Sequence, residues 1–504
     1  MSATKRHRRS SAARGIAPIY KRLPKGPHGI APEDVAHHQR IRMHGAMIEA
    51  VATHGYERTS VKHVIGLAGV SRRAFYEQFA NKDDCFRETF DLIVGRAIKR
   101  INGACLARKG SLDNRLRAAL KAFIDELETN PKALHLVMID ALTAGPDAQQ
   151  QLRKATAAFE RLLANGFASA PGARTLPAPL VRAIIGGLRR VIFVRLRDER
   201  TEGLAKLGYE LRRWIGLLTS PAVEELRMRA CSQAPFPPAA QLPPYSGGEP
   251  SDRARLIHSV VDLALREPFE ELSAPHIANE ADLSIDTFLD LFESPQECFM
   301  AALDMLGAEL LEVVADPALI TPQWPQAVCE AIDRLSAHIA GNPAATTMLA
   351  CKTFAAGLPV IEDMVSLTDE VATLLTEGAP RRARGTLAVE GVSGAFAHTL
   401  YTEAAAGRAH LLPSQVEYLS YIVLAPYMGA ENAVQTIVAS RPQPPPRPPS
   451  PALTQDAPTA STTTSAPAPR LALASLAQAA LGKVREHDAD KQRNHDHDDQ
   501  WSLA

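Results

Sequence analysis

The chain has 504 residues, with 56 Lys+Arg balancing 56 Asp+Glu, 46% hydrophobic and 5% aromatic residues, 37 prolines and 6 cysteines. At roughly 100–200 residues per domain this length predicts two to four domains, and the hydrophobic share excludes a wholly disordered chain. The zero net charge argues against a nucleic-acid partner only if charge is spread evenly, and it is not.

Residues 1–32 hold eight Lys/Arg and no acid, which predicts a disordered basic arm. No apolar core follows it, so it is not a secretory signal. No run of 18 apolar residues predicts a membrane span. Cys85, Cys105, Cys231, Cys298, Cys329 and Cys351 fall in no metal-ligand spacing and read as reduced thiols of a cytoplasmic protein. Next come two blocks of helical periodicity, flanking a Pro/Gly linker at 234–250 in which no helix can continue. The first block divides into 33–97 and 98–233, the second into 251–310 and 311–440. Residues 116–124 and 327–335 place apolar side chains at i, i+3 and i+4, and strand-like alternation is absent, so the expected fold class is all-α. Residues 441–504 form a Pro-rich, low-complexity tail. Within it a short Ala/Leu-rich helix is expected at 470–485, before a polar His/Asp-rich end that could hold a metal weakly.

Self-comparison finds one offset that aligns the starts of the blocks. Shifted by 213, Ile65, Ala68, Val70 and Ser71 fall on Ala278, Ala281, Leu283 and Ser284, and Phe75, Phe79, Cys85 and Phe86 fall on Phe288, Phe292, Cys298 and Phe299. Shifted by 212, Asn130-Pro131 meets Asn342-Pro343, and Ala144-Gly145 meets Ala356-Gly357. The pattern reads as a tandem duplication.

In the first copy, Met43, Met47, Ala50 and Val51 form the apolar stripe of a helix ending at Gly55. Thr59 or Ser60 can cap a helix through Val64, Ile65 and Ala68, Gly69 can make a tight turn, and Ser71 can cap a helix carrying Arg72, Arg73, Phe75, Tyr76 and Phe79. Asn81 can cap a further helix opening at Lys82. Two short helices around a glycine turn, the second bearing basic and aromatic groups, describe a helix-turn-helix over 60–79. Gly55-Tyr56, Thr59-Ser60-Val61, Ala68-Gly69-Val70-Ser71, Phe75-Tyr76, Phe79 and Lys82 together resemble the DNA-binding domain of the TetR (tetracycline-repressor-like) regulators. That resemblance implies a dimeric repressor with a small reader domain and a larger helical domain for dimerisation and a small-molecule effector. Its expected partner is double-stranded DNA, in a cytoplasmic, nucleoid-associated protein.

Physical roles follow for the motif. Ser71, Arg72 and Arg73 lie on the first turn of the recognition helix, where one Arg can bond guanine O6 and N7. Tyr76 resembles the family's phosphate-contacting tyrosine, Lys82 and its helix N-terminus suit a phosphate, and Ser60 and Lys62 resemble the supporting helix's phosphate contacts. Phe75 and Phe79 are expected in the core, and His44 and His63 at the surface or its boundary. Effector candidates are His135, Asp140, Arg189 and Arg190 in the first block, and His398 and Tyr401 in the second.

The second copy keeps the packing positions and loses the chemistry. Arg72, Arg73, Tyr76, Lys62 and Lys82 become Ile285, Asp286, Leu289, Pro275 and Pro295, while Glu270, Glu271, Glu280, Asp282, Asp286, Asp290, Glu293 and Glu297 accumulate. Such a surface repels phosphate, so the second helix-turn-helix is expected to fold without binding DNA. One competent reader rarely gives enough specificity, which favours a homodimer over an internal pseudo-dimer. No enzyme is expected: GxSxG, P-loop, dinucleotide-binding and HExxH motifs are absent, and no cofactor is implied. The alternative is a protein-interaction scaffold with a vestigial DNA-binding fold.

Overall fold

A computed structural model describes residues 32–107, 111–169, 175–198, 203–232, 251–315, 323–353, 357–380 and 386–441. The basic arm up to residue 31, the linker and the tail lie outside the described residues. Among the described residues every regular element is a helix, so the all-α expectation holds.

The chain opens with α1 (Pro32–Arg58), α2 (Val61–Ala68), α3 (Arg72–Tyr76) and α4 (Lys82–Leu106). Gly55, at φ 72 and ψ 162, interrupts α1 near its end, in backbone that a side chain would oppose. Ser60, Ser71 and Asn81 cap α2, α3 and α4, each accepting from the amide three residues on. Gly69, at φ 62 and ψ 40, turns the chain between α2 and α3. Met43, Met47, Val64, Phe75, Phe79, Phe86 and Phe90 are buried to within 1%. The stripe on α1 therefore meets the apolar faces of α2, α3 and α4. Arg42 fixes the turn by donating to the carbonyls of Ala68 and Gly69.

The same arrangement recurs in α12 (Asp252–Arg266), α13 (Ala274–Glu280), α14 (Ile285–Leu291) and α15 (Pro295–Ala315). Arg255 donates to the carbonyls of Ala281 and Asp282, as Arg42 does 213 residues earlier. Arg40 stacks on Phe79 at 5.1 Å and Arg253 on Phe292 at 5.0 Å. Ser284 caps α14, and Phe288 and Phe292 pack as Phe75 and Phe79 do. Cys85 and Cys298 are both buried, which pushes each thiol up to about 12 and keeps it protonated.

Between the readers run α5 (Leu112–Thr129), α6 (Pro131–His135), α7 (Ala141–Thr143), α8 (Pro146–Ala168), α9 (Ala178–Arg197), α10 (Leu204–Leu218) and α11 (Val223–Ser232). After the second reader come α16 (Trp324–Gly341), α17 (Pro343–Thr347), α18 (Leu358–Thr376), α19 (Thr386–Ala405), α20 (Val416–Met428) and α21 (Ala430–Ser440). Irregularities recur in register. A widened π turn occupies Leu136–Asp140 and again Met348–Lys352. Gly145 (φ 90, ψ 175) and Gly357 (φ 95, ψ 176) each precede a long helix.

The two halves meet through α9, α10, α19 and α20, which form a four-helix bundle. Its centre is a backbone-to-backbone crossing of α9 on α19. A Cβ on Gly186 would strike the carbonyl of Gly394, and a Cβ on Gly394 would strike that of Gly186. The contact is reciprocal, so neither glycine can carry a side chain while the helices stay this close. Trp214 from α10 fills the space left by Gly187 and Gly391, and the Tyr421 hydroxyl donates to the Leu217 carbonyl at 2.6 Å. Across the seam, Arg195 pairs with Glu390, and Arg190 with Asp369.

Candidate nucleic-acid interface

The capping serine at position 71 sets the start of α3, and one turn of helix then decides what faces outward. Phe75 points into the core, so Arg72, Arg73 and Tyr76 are left on the open side, with Tyr76 47% exposed. Arg72 lies over the Tyr76 ring at 5.6 Å, and Arg73 bonds Glu77 at 2.7 Å. The Arg73 pair is fully solvated and i, i+4, so competition from a nucleobase or phosphate can break it at small expense. The surface is basic, hydrogen-bonding and convex, the properties a helix entering a major groove needs.

The remaining motif residues flank this helix. Lys62 is exposed on α2, and Ser71 is exposed where its hydroxyl caps α3. Ser60 is half-buried and its hydroxyl serves the His63 amide. Lys82 is half-buried too: its ammonium donates to the Tyr56 carbonyl at 3.2 Å and sits over the Tyr56 ring at 4.0 Å. The α4 N-terminus already faces carboxylates, since Asp83 accepts from the Tyr56 hydroxyl and Asp84 caps the Ala80 amide. A phosphate there would share Lys82 with Tyr56. Of the seven expected residues, Lys62, Ser71, Arg72, Arg73 and Tyr76 are exposed, and Ser60 and Lys82 are half-buried.

His44 departs from expectation. It is 8% exposed, with Nδ1 at 2.8 Å from the Thr89 hydroxyl and its ring edge-on to Phe79. Burial, and then the Arg40 charge, lower its pKa to about 4, so it is a neutral core residue. The repeat held the clue, because Ile257 occupies its place in the second copy.

At the equivalent face of the second reader, Ile285, Asp286, Leu289 and Asp290 are exposed, with Leu289 at 57%. Glu271, Glu280, Asp282, Glu293 and Glu297 surround them at the surface, and only Glu280 is paired, with Arg266. The described Lys/Arg of that reader, Arg253, Arg255 and Arg266, are bound to Phe292, turn carbonyls and Glu280 respectively.

The six effector candidates separate into two groups. His135 and Asp140 pair with each other at 2.8 Å across the first π turn. Arg189, Arg190, His398 and Tyr401 come together from opposite halves and line one cavity of about 380 Å³ on the seam. A second cavity of about 380 Å³ lies within the first half, walled by α4, α5, α8 and α9, including Leu112, Phe123 and Phe159. In the second half the counterpart of Leu112 is Trp324, whose indole lies against Gly378 and donates to the Leu375 carbonyl at 2.9 Å. Neither cavity was visible in the sequence. No described helix is long and apolar enough to cross a membrane.

Residues 46–89 match the family model described as bacterial regulatory proteins, tetR family. The chain is 25% identical over 151 residues to the HTH-type transcriptional activator FasR of Mycolicibacterium smegmatis (strain ATCC 700084 / mc(2)155), a match covering 29% of this chain and 68% of the relative. Among solved structures, the transcriptional regulator FadR from Bacillus subtilis in complex with stearoyl-CoA overlaps 36% of this chain and 97% of its own, at TM-score 0.33 and 17% identity. The fatty acid degradation regulator FadR from Bacillus halodurans overlaps the same shares at TM-score 0.31 and 17% identity.

Proposed function

We propose that this protein is a sequence-specific, DNA-binding transcription regulator that reads the major groove with α3 and is modulated by a small molecule held in its helical body. The observation that carries the proposal is the exposed cluster of Arg72, Arg73 and Tyr76 on a capped, glycine-turned helix-turn-helix. The family match over residues 46–89 supports it. Arg72 and Arg73 read bases, Tyr76, Lys62 and Ser60 contact phosphates, and Lys82 adds a phosphate contact once drawn from Tyr56.

We further propose that a tandem duplication made this chain, and that its halves stand in the relation of two subunits. The reciprocal Gly186–Gly394 crossing occupies the bundle through which two chains of such a regulator would otherwise pair. We favour here an internal pseudo-dimer carrying one reader, the alternative to the homodimer expected from the sequence. The basic arm then supplies the affinity that a second reader would have given.

The cavity of about 380 Å³ in the first half is the proposed effector site, since it adjoins α4, the helix that carries the reader. An effector there would act by shifting α4 and with it the pose of α3. Its wall is mainly apolar, so an apolar effector suits it. The sign of regulation belongs to operator position. We retain repression as the working assignment, although the mycobacterial relative is an activator by name.

Genome-wide capture of bound DNA, followed by native mass measurement on the recovered site, tests this reading. A single half-site occupied by one chain is the expected result. Two inverted half-sites holding two chains would refute the pseudo-dimer, and absence of any enriched site would refute DNA reading. In a reporter strain, deletion should raise target expression; a fall would mark an activator.

A further inference from the structure

The seam cavity differs from the first-half cavity in being built by both halves. Gly186 and Gly394 both line it, as do Arg190 and His398, Phe193 and Tyr401, Leu152 and Met364, and Thr156 and Thr368. Leu152 and Met364, and Thr156 and Thr368, stand at the offset of 212, and at this offset the second half has replaced some polar or charged members by apolar ones. Gln149 and Arg153, for instance, correspond to Ile361 and Val365.

Its charged groups are distinctive. Arg190 is paired with Asp369, Arg153 donates to the Tyr401 hydroxyl at 3.1 Å, and Glu160 meets His398 Nε2 at 2.7 Å. Arg189 makes no hydrogen bond and no ion pair among the described residues, and its Nε is buried without a partner. Burial works against its charge, and the charges of Tyr401 and Glu160 offset part of that. Arg189 as a whole is half-buried and lines the cavity, so its guanidinium meets a mostly apolar chamber with no protein partner, where an anionic group would be gained favourably. Arg189 also lines the first-half cavity, together with Met138, Leu152 and Thr156, so it stands in the wall between the two chambers.

We propose that the seam cavity binds an amphiphile with a single anionic group, which pairs with Arg189 while the apolar body lies against Met138, Leu142, Ile361, Met364 and Val365. A carboxylate or phosphate offers the guanidinium two oxygens and supplies the partner it lacks. The apolar body displaces the water that such walls hold poorly. Because both halves contribute, occupancy tightens the seam itself, a role the first-half site cannot have. The site is separate from the effector site proposed above, and its test does not depend on DNA.

Calorimetric titration of the full chain with dodecanoate, dodecyl phosphate and dodecanol reads the proposal. Dodecanoate or dodecyl phosphate should bind at least tenfold tighter than dodecanol, and the stronger of the two identifies the head group. Arg189→Gln should erase that preference, and Arg189→Lys should restore part of it. Met364→Trp fills the seam cavity alone and should erase the preference for the anionic probes over dodecanol, whereas Leu112→Trp fills the first-half cavity alone and should leave that preference unchanged. Each variant's unchanged thermal melt shows that it folds. Equal binding of dodecanol and dodecanoate, or loss of the preference in Leu112→Trp with its retention in Met364→Trp, would overturn the proposal. The second pattern would place the ligand in the first-half effector site instead. Gel shift on ligand-free Arg189→Gln should match the parent chain, so failure of DNA reading would be seen separately.

Discussion

The two helix-turn-helix units share a skeleton down to individual interactions and differ in charge. Arg42 and Arg255 hold the turn, Arg40 and Arg253 cover a phenylalanine, and Ser71 and Ser284 cap the recognition helix. Yet residues 33–86 carry seven basic and seven acidic groups, while residues 251–299 carry three and eleven. The positions that differ are those pointing outward, where side chains are free of packing. On the proposed reading of a duplicated chain, the fold outlasts the recognition chemistry, because burial specifies one set of residues and phosphate attraction another. The neutral total of the whole chain arises because residues 1–32, with eight Lys/Arg and no acid, offset the acidic second copy.

The strongest way to break the comparison is to exchange the outward positions. Arg72→Ile with Arg73→Asp should remove a bidentate base contact of about 1–3 kcal/mol and replace a phosphate attraction by repulsion. We expect affinity for the captured site to fall at least a hundredfold in fluorescence anisotropy, with a shallower salt dependence. Ile285→Arg with Asp286→Arg should change affinity less than threefold, because the surrounding carboxylates remain. Comparable losses or gains at both readers would show that the second one also touches DNA.

A second difference lies inside. His44 and Thr89 form a buried polar pair in the first reader, where the second has Ile257 and Ala302. The His44 pKa is lowered to about 4 from 6.5 in the unfolded chain. Protons therefore bind the unfolded state first, and stability present above pH 6.5 is lost as pH falls toward 4. At about 1.4 kcal/mol per unit, this amounts to at most roughly 3 kcal/mol. Hydrogen-exchange mass spectrometry at pH 7 and pH 5 should show α1 to α4 loosening in acid and α12 to α15 holding. His44→Ile with Thr89→Ala should level the two, and unchanged acid loosening in that variant would assign the effect elsewhere.

What the sequence made legible was local. Ser71 as a cap, Gly69 as a left-handed turn and Phe75 and Phe79 as core follow from chemistry within one or two turns, and the structure has all four there. The offset of 213 also carried through to the second reader. The seam was not legible, since Arg189 and His398 share a cavity while standing more than two hundred positions apart, on helices whose partner no single-helix pattern reveals. The burial of His44 escaped for a different reason. It lies beside the stripe of Met43 and Met47, and periodicity alone does not separate a core edge from a boundary. Its apolar counterpart Ile257 was the signal that would have placed it.

The smallest expected effect concerns the turn. Gly69 and Asp282 are equivalent and both left-handed, at φ 62 and φ 54. Glycine adopts that backbone freely, whereas an aspartate there costs about 1 kcal/mol, less than most side chains because Asp tolerates the region. The second reader holds Asp282 in place because Arg255 binds its carbonyl and that of Ala281. Asp282→Gly should therefore relieve the strain and slow exchange of the α13 and α14 amides by up to about fivefold, corresponding to roughly 1 kcal/mol. Gly69→Asp should do the reverse in α2 and α3. It should also weaken DNA binding further than the lost stability explains, because it sets a carboxylate beside Arg72. If Gly69→Asp moved exchange and binding in proportion, the turn would matter to folding alone, and the charge contrast between the readers would rest entirely on the recognition helix.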